Sequence, residues 1–589
     1  MNTLILFYTN QIKEHGAQLS KIKELLFGSS MLRLVVFCVA VLGVYFFNES
    51  TKLVIGIILG TIVLFLFLVS RHSDLQYKRD KLKALIKINE TEIGVLNRKF
   101  HHLPEGTEFK NPLHHFSQDI DLFGKGSFYQ YCNRTALKQG SGILAGLFTE
   151  NSIKDIKKKQ EAILELSKIP EWRQEYSAVA SLVKTETSYK TILKWLSGYK
   201  AFVPSFMKHL PNVFSILSII LITLYFIGLF SGWFVVGWLF LGLGITGPFL
   251  KRINKLSLDT SKIQSTFHQY QKLILEIEKI DFSSELLKEK KETVISAEIR
   301  TSKVLKDFSD ILNALDQRNN MLFGFLGNAF LLWDLRQCYN IEQWIGMHGS
   351  NIEKWFVTIA FFDAYNSLGN FAFNHPKYSF PVINGNKTVL KAAEASHPLL
   401  DPIKSVANKI EIDKEQFFII TGANMAGKST FLRTVSLQIV MANVGLPVCA
   451  KKVEYTPIKL ITSMRTTDSL TDDESYFFSE LKRLKFIVDE IQTDRYFIVL
   501  DEILKGTNST DKAIGSRKFV ERLVNSNATG IIATHDLSLC EISKELPEVE
   551  NYYFDAEIVN NELHFDYTFK KGICQNMNAS FLLKKMEIV

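Results

Sequence analysis

Between Leu210 and Leu250 the chain carries no charged side chain over forty-one residues. A bilayer core takes about 20 apolar residues per helical crossing, so this length suits two crossings joined by a tight turn. The run breaks at GLFSGW (228–233), and glycines at 237, 242, 244 and 247 allow close helix packing in lipid. Trp233 and Trp238 suit either an interface or plain packing. A second pair lies near the N-terminus, where MLRLVVFCVAVLGVYFF (31–47) and LVIGIILGTIVLFLFLVS (53–70) flank NESTK. The latter run has eighteen residues without a charge, about 27 Å as a helix. Arg33 must snorkel towards headgroups. No small-residue cleavage site follows the first run, which argues against a signal peptide.

Basic residues flank both pairs: Lys21, Lys23 and Arg33 before the first, RHSDLQYKRDK (71–81) after it, Lys208 and KR (251–252) around the second. The positive-inside rule therefore predicts a multi-pass protein of the cell inner membrane, with membrane lipid as a partner and the soluble parts in the cytoplasm. The 589 residues suggest three or four domains, and 69 basic against 61 acidic side chains give a net charge of +8. That excess permits contact with nucleic acid or anionic headgroups and demands neither. Six cysteines without a CxxC pair exclude a disulfide framework or zinc knuckle.

Residues 71–100 read as a helix leaving the membrane. HHLPEGTEFKNPLHH (101–115) reads as a solvated linker whose histidines lack metal-site spacing. Residues 151–205 and 251–320 are helical by pattern, and 251–318 is either a lever arm or a solvated helix face.

GANMAGKS (422–429) fits GxxxxGK[ST], between a strand-like QFFII (416–420) and a helix-like TFLRTVSLQIVMANVG (430–445). Gly422 and Gly427 permit the tight loop whose amides surround phosphate oxygens, Lys428 reaches the β- and γ-phosphates, and Ser429 ligates Mg²⁺. RYFIVLDEI (495–503) ends a buried-strand pattern in two acids. Asp501 is placed to hold the magnesium shell and Glu502 to polarise the attacking water. IIATHD (531–536) brings His535 to the end of another strand, where it can sense the γ-phosphate. LKGTNSTD (504–511) is a turn before a helix, read either as an anion contact for a partner subunit's nucleotide or as a plain N-cap. ATP and Mg²⁺ are the expected cofactors, with ATP hydrolysed to ADP and phosphate.

TGANMAGKST (421–430) resembles the nucleotide loop of the MutS family of ABC-type ATPases, which reads close to TGPNMGGKST. Asn424, Met425 and Thr430 match, while Ala423 and Ala426 replace Pro and Gly. The resemblance extends to Asp501 and Glu502, to Ala533, Thr534 and His535, to HPLL (397–400), and to MRTTDSLTDDESYFFSEL (464–481), where Ser475, Phe477 and Glu480 fit and Asp473 stands for a Gly. The signature turn departs most. It retains Gly506, Thr507 and Asp511, and Ser509 is the candidate for the γ-phosphate contact in trans. Residues 120–148, 361–383 and 565–586 resemble the family's core-and-lever start, its return segment and the end of its ATPase domain.

The expected architecture is multidomain: a membrane hairpin with its helix (1–100), a mostly α-helical core and lever interrupted by the second hairpin (101–380), and an α/β P-loop ATPase domain (381–589). The resemblance implies a homodimer that ATP closes and hydrolysis opens. DNA is a further partner it implies, with a role in mismatch repair or damage sensing. Lys157, Lys158 and Lys159 are candidate phosphate contacts. Against DNA stand the missing N-terminal mismatch reader and the hairpin at the position of the DNA clamp. The alternative is a membrane-coupled mechanical ATPase acting on a membrane protein partner.

Overall fold

Each N-terminal apolar run is the outer part of a much longer helix. In the computed structural model, which describes residues 2–183, 189–295, 300–385, 387–465, 476–559 and 562–575, helix α1 (Asn2–Phe46) has 45 residues and α2 (Thr51–Leu96) has 46. At 1.5 Å per residue each is about 68 Å long. They run antiparallel: Gly43 faces Ile57, and Ser29 Oγ lies 3.2 Å from His72 Nδ1. The outer halves expose Leu34, Phe37, Leu66 and Phe67, a surface suited to lipid. The inner halves carry charge and dock on the helical core.

That docking is a buried polar chain. Tyr8 Oη donates to Asn374 Oδ1 at 2.6 Å, and Asn374 Nδ2 donates to Glu92 Oε2 at 2.7 Å. Glu92 Oε1 accepts from Arg134 Nε at 2.5 Å. Tyr8 and Glu92 are buried, so the chain holds only because each polar atom has a partner.

The core comprises α3 (Phe128–Cys132), α4 (Lys138–Thr149), α5 (Ile156–Ser167), α6 (Pro170–Ser181) and α7 (Tyr189–Ser197). The second apolar region forms α8 (Leu210–Phe226) and α9 (Gly232–Thr246), with Gly228 in the left-handed region at φ 86° between them. One 3-10 turn joins α9 to α10 (Leu250–Glu278); α11 (Glu285–Glu292), α12 (Thr301–Asp316), α13 (Met321–Leu331), α14 (Trp333–His348) and α15 (Ile352–Asn374) follow. By length and composition, Asn2–Phe46, Leu53–Leu96 and Gly232–Glu278 are long and apolar enough to cross a membrane, and Leu210–Phe226 is a shorter apolar helix.

Helices α10 and α12 pair antiparallel, since Glu278 bonds Ser302 while Phe267 stacks edge-on with Phe308 at 4.9 Å. The face of α10 bearing Ile263, Phe267, Tyr270 and Ile274 is buried, while the other face, with Lys251, Lys255 and Lys262, is exposed. Helix α15 runs through the core, and its Asp363 accepts from the amides of Ala136 and Leu137 ahead of α4, the latter at 2.9 Å. A carboxylate there offsets the unpaired N–H groups of the helix start. Gly140 permits the approach, because a Cβ would sit 2.1 Å from Asp363 Oδ2.

After α15 come strands β1 (Val382–Ile383), β2 (Thr388–Ala395), β3 (Asn408–Asp413), β4 (Phe417–Gly422), β5 (Lys452–Tyr455), β6 (Lys459–Ser463), β7 (Tyr496–Asp501), β8 (Thr529–Ala533), β9 (Val549–Phe554), β10 (Ala556–Val559), β11 (Glu562–Phe565) and β12 (Lys570–Lys571). Helices α16 (Lys428–Val444), α17 (Tyr476–Glu490) and α18 (Ser509–Asn525) are interleaved with them. The main sheet has the order β12-β9-β4-β8-β7-β6, parallel except for β12 at its edge. A four-stranded sheet, β1-β5-β2-β3, stands beside it. Every residue of β4 and β8 is buried, as a parallel sheet covered on both faces requires.

The stretch 101–115 is largely exposed, as a solvated linker should be, but its last two histidines are anchored. His114 Nδ1 accepts from the amides of Phe116 and Ser117, and His115 stacks on Tyr496 of β7 at 5.9 Å. The peptide connects the core to the edge of the main sheet.

Two further histidines lie where the helical core meets the C-terminal α/β region. His375, just past α15, takes a hydrogen bond from Tyr131 Oη at Nε2 (2.8 Å) and gives one from Nδ1 to the Phe371 carbonyl (2.7 Å). Burial pushes both His375 and His397 down to about 4. Both are therefore neutral when folded, and the unfolded chain binds more protons between about pH 4 and 6.5. Their stabilisation is full above the unfolded value and is lost as pH falls through that window. His397→Asn is expected to flatten the fall of the thermal midpoint between pH 7 and 5, by up to about 2 kcal/mol in stability. Scanning calorimetry of both proteins across that range checks it.

Candidate nucleotide site

The site forms at the carboxyl ends of β4, β7 and β8, where open parallel sheets bind ligands. Strand β4 ends at Gly422 and α16 begins at Lys428, so the predicted strand, loop and helix are all present. Gly422 has φ 151° and touches Phe554, where a Cβ would sit 2.7 Å from the Phe554 carbonyl. Gly427 caps α16 in the left-handed region at φ 105°. Met425 also adopts positive φ, 67°, and is exposed, whereas Ala423 and Ala426 are buried.

Lys428 is buried. Its Nζ lies 2.8 Å from the Gly422 carbonyl, 3.0 Å from that of Ala423 and 3.3 Å from His535 Nε2. Among the described residues no carboxylate forms a salt bridge with it, and burial lowers its pKa. A buried ammonium in this state favours an incoming anion, because its Coulombic compensation is incomplete. Asn424 and Thr430 lie at either side of the turn into α16.

Ser429 Oγ donates to Asp501 Oδ2 at 2.6 Å. Burial pushes the Asp501 carboxyl up, against the lowering effect of that hydrogen bond. The hydroxyl and carboxylate fit the oxygen-donor set that Mg²⁺ prefers. Glu502 Oε1 accepts from His535 Nε2 at 3.0 Å, and this bond holds the Glu502 carboxyl down at about 2. The Glu502 backbone is itself left-handed, φ 51°, with its amide bonded to the Ala533 carbonyl at 2.9 Å. Leu504 follows at φ 59°. Positive φ at residues with side chains costs roughly 1–2 kcal/mol each and gathers at functional sites.

The structure thus brings Lys428, Ser429, Asp501, Glu502 and His535 together. It also gives Glu480 a position: its carboxylate accepts from the amides of Leu504 and Lys505, the latter at 3.0 Å. Ser509 stands apart on the first turn of α18, exposed like its neighbours. The cap of α18 is Asn508, whose side chain accepts from the Asp511 amide at 2.9 Å. Ser475 and Asp473 lie outside the described residues. Lys158 pairs with Glu285 at 2.7 Å, and Lys159 is half-buried, leaving Lys157 as the exposed member of the three lysines.

Two features were not read from the sequence. Tyr567 packs its ring on the loop, where a Cβ at Gly427 would sit 3.1 Å from Tyr567 Cδ1. Asp119 Oδ2 accepts from the Thr462 hydroxyl at 2.5 Å and the Met464 amide at 3.1 Å, at the end of β6. Beside it, Asp121 forms a two-point bond with Arg465 at 2.6 and 2.8 Å. No local motif marks either position; a Tyr five residues before a Gly and an isolated Asp are common patterns.

Residues 418–585 match a family model described as MutS domain V. The chain is 34% identical over 204 residues to MutS protein homolog 4 of Homo sapiens, covering 33% of this chain and 21% of that protein. It is 30% identical over 285 residues to the DNA mismatch repair protein MutS of Methanococcoides burtonii, covering 47% and 31%. A DNA mismatch repair protein MutS of Macrococcus caseolyticus is 30% identical over 246 residues, 40% and 29% of the two chains. The matches thus span between about a fifth and a third of these relatives. The domain match supports ATP-hydrolysing activity. The C-terminal region of this chain is homologous to the MutS-family ATPase domain, at modest identity and over part of the chain.

Proposed function

We propose that the protein is a membrane-anchored MutS-like ATPase whose nucleotide cycle is coupled mechanically to the bilayer. The observation that carries this reading is the continuity of α2. One helix runs from the apolar segment to Leu96, and Arg98, directly after it, donates to the Pro398 and Leu400 carbonyls at 2.8 and 3.0 Å. Those carbonyls belong to the segment leading into the ATPase domain.

Gly422, Ala423, Asn424, Met425, Ala426 and Gly427 would wrap the ATP phosphates with backbone amides, and Tyr567 offers a flat surface to the base. Lys428 would hold the phosphate charge, with Ser429, Thr430 and the start of α16 adding donors and favourable potential. Mg²⁺, held by Ser429 and Asp501, would neutralise charge on the phosphates when bound. Glu502 orients and polarises water. Held at about 2 by His535, its carboxylate stays ionised throughout the neutral range, and release of that bond raises its basicity. His535 Nε2 donates to Glu502 and lies 3.3 Å from Lys428 Nζ, so an anion that draws on Lys428 changes the surroundings of that bond. Ser509, exposed on α18, would meet the nucleotide of a second copy in a homodimer. The two hairpins lie in the cell inner membrane, with the core, lever and ATPase domains in the cytoplasm, and a membrane protein partner receives the motion.

Binding to DNA, with a role akin to mismatch repair, is the second reading, favoured by the names of the relatives. ATPase assays of the reconstituted protein with duplex, mismatched and branched DNA separate the two. The mechanical reading expects turnover unchanged by DNA within twofold and altered by detergent extraction or bilayer composition. Strong stimulation by one DNA structure, with salt-dependent binding, would overturn it in favour of the second.

A further inference from the structure

Helix α13, MLFGFLGNAFL, is apolar and only 11 residues long, about 16 Å, too short to cross a bilayer. Its surface is nevertheless unlike that of a soluble domain. Met321, Leu322, Phe325 and Leu326 form one exposed stripe, with Met321 87% and Leu322 73% accessible. The turn that follows the stripe, Gly327, Asn328 and Ala329, is buried against the second hairpin. There the backbones nearly touch: a Cβ at Gly242 of α9 would lie 2.2 Å from the Ala329 carbonyl.

Ser218, Trp238, Thr246 and Asn328 at this junction find their partners within the three helices and at the start of α14. Ser218 Oγ of α8 lies 2.7 Å from the Phe330 carbonyl and takes a 2.7 Å bond from Trp238 Nε1. Asn328 donates to the Gly324 carbonyl at 2.8 Å and accepts from the Asp334 amide at 3.0 Å. Thr246 bonds the Gly242 carbonyl at 3.1 Å. Small residues at the contact and internally satisfied polar groups are what hydrocarbon surroundings require. The first charges on either side of α13, Arg318 and Asp334, pair with each other at 2.9 Å, and Arg318 also reaches Asn254 of α10 at 2.7 Å. Both flanks of α13 therefore return to the side of the membrane on which α10 emerges. Tyr225 and Trp233 lie at the other end of the α8–α9 hairpin, where aromatic residues suit the far interface.

We propose that α13 is a re-entrant helix in the cytoplasmic leaflet, packed on α8 and α9, with its Met321, Leu322, Phe325 and Leu326 stripe facing lipid acyl chains. The inference rests on reading α8–α9 as a membrane hairpin. The apolar exposed surface of that hairpin, including Ile219 and Phe240, supplies the surface that the stripe extends, which selects lipid over a protein occupant. The membrane footprint of each chain then has five helices, and the α12–α14 connection rather than the hairpin alone sets the depth of the lever.

Nitroxide labels on single cysteines test this in the full chain reconstituted into phosphatidylcholine–phosphatidylglycerol vesicles. In a Cys38→Ser background, labelling without an added cysteine gives the residual signal. Leu322→Cys and Phe325→Cys probe α13, Ile219→Cys and Phe240→Cys probe the hairpin, and Lys306→Cys is the aqueous reference. At 322 and 325, collision with oxygen is expected to exceed collision with a water-soluble nickel chelate several-fold, as at 219 and 240, with the reverse at 306. Nickel access at 322 and 325 while 219 and 240 remain lipid-facing would overturn the assignment of α13 alone. Low collision with both reagents there would overturn it in favour of a protein occupant, a second copy or a partner. Nickel access at 219 and 240 would sink the hairpin reading and this inference with it.

Discussion

Replacing Glu502 by glutamine is expected to lower ATP turnover by about a hundredfold or more while ATP affinity stays within a few fold. The substitution keeps the shape of the side chain and one acceptor oxygen for His535, which now lies 3.0 Å away. What it removes is the negative charge that polarises water. The loop amides, Lys428 and the Ser429–Asp501 pair are untouched, so nucleotide binding persists. Steady-state phosphate release and equilibrium binding of ATP, measured on the same preparation, read the two effects separately. Turnover near the parent value would take Glu502 out of the catalytic role and leave its bond to His535 as a structural contact.

Lys428→Ala acts on the other side of the site. Loss of one charge-assisted contact of about 1.5–3 kcal/mol raises the Kd for ATP by roughly ten- to a hundredfold. The nucleotide-free protein should respond differently. Lys428 Nζ is buried with two carbonyls as partners and His535 alongside, so removing it also removes an incompletely compensated charge. The thermal midpoint without nucleotide is expected to hold or rise slightly, while the shift produced by millimolar ATP and Mg²⁺ disappears. A large fall in the nucleotide-free midpoint would mean that Lys428 mainly braces the loop.

The parts of the site that could be read from the sequence are those built locally. GANMAGKS carries its strand before it and its helix after it, and RYFIVLDEI carries its own strand, so spacing and pattern suffice for both. His535 followed from the same logic at the end of β8. What escaped depends on contacts between distant segments. Asp119 meets Thr462 across 343 residues, and Tyr567 reaches Gly427 from beyond β11 with no periodic signal to announce it. The hairpin turn at Gly228 was legible because an uncharged run of known length must fold back on itself. Helix α13 was not, since eleven apolar residues look the same whether they face protein or lipid. The first thirty residues gave no sign that they would continue α1, because their partner is α2 rather than a neighbouring turn.

The bond between Tyr8 and Asn374 spans 366 residues, and it fixes an order of assembly. During synthesis the first hairpin is complete long before α15 leaves the ribosome. Its inner ends must therefore wait without their final partners, with Glu92 unable to reach Asn374. The core can close only when the last core helix arrives, immediately ahead of the ATPase domain, and such long-range closure is slow compared with local helix formation. The catalytic domain thus emerges onto a scaffold that its own preceding helix has just completed. A chain interrupted before residue 374 would leave the α1–α2 hairpin unlatched, with Tyr8 deprived of its partner.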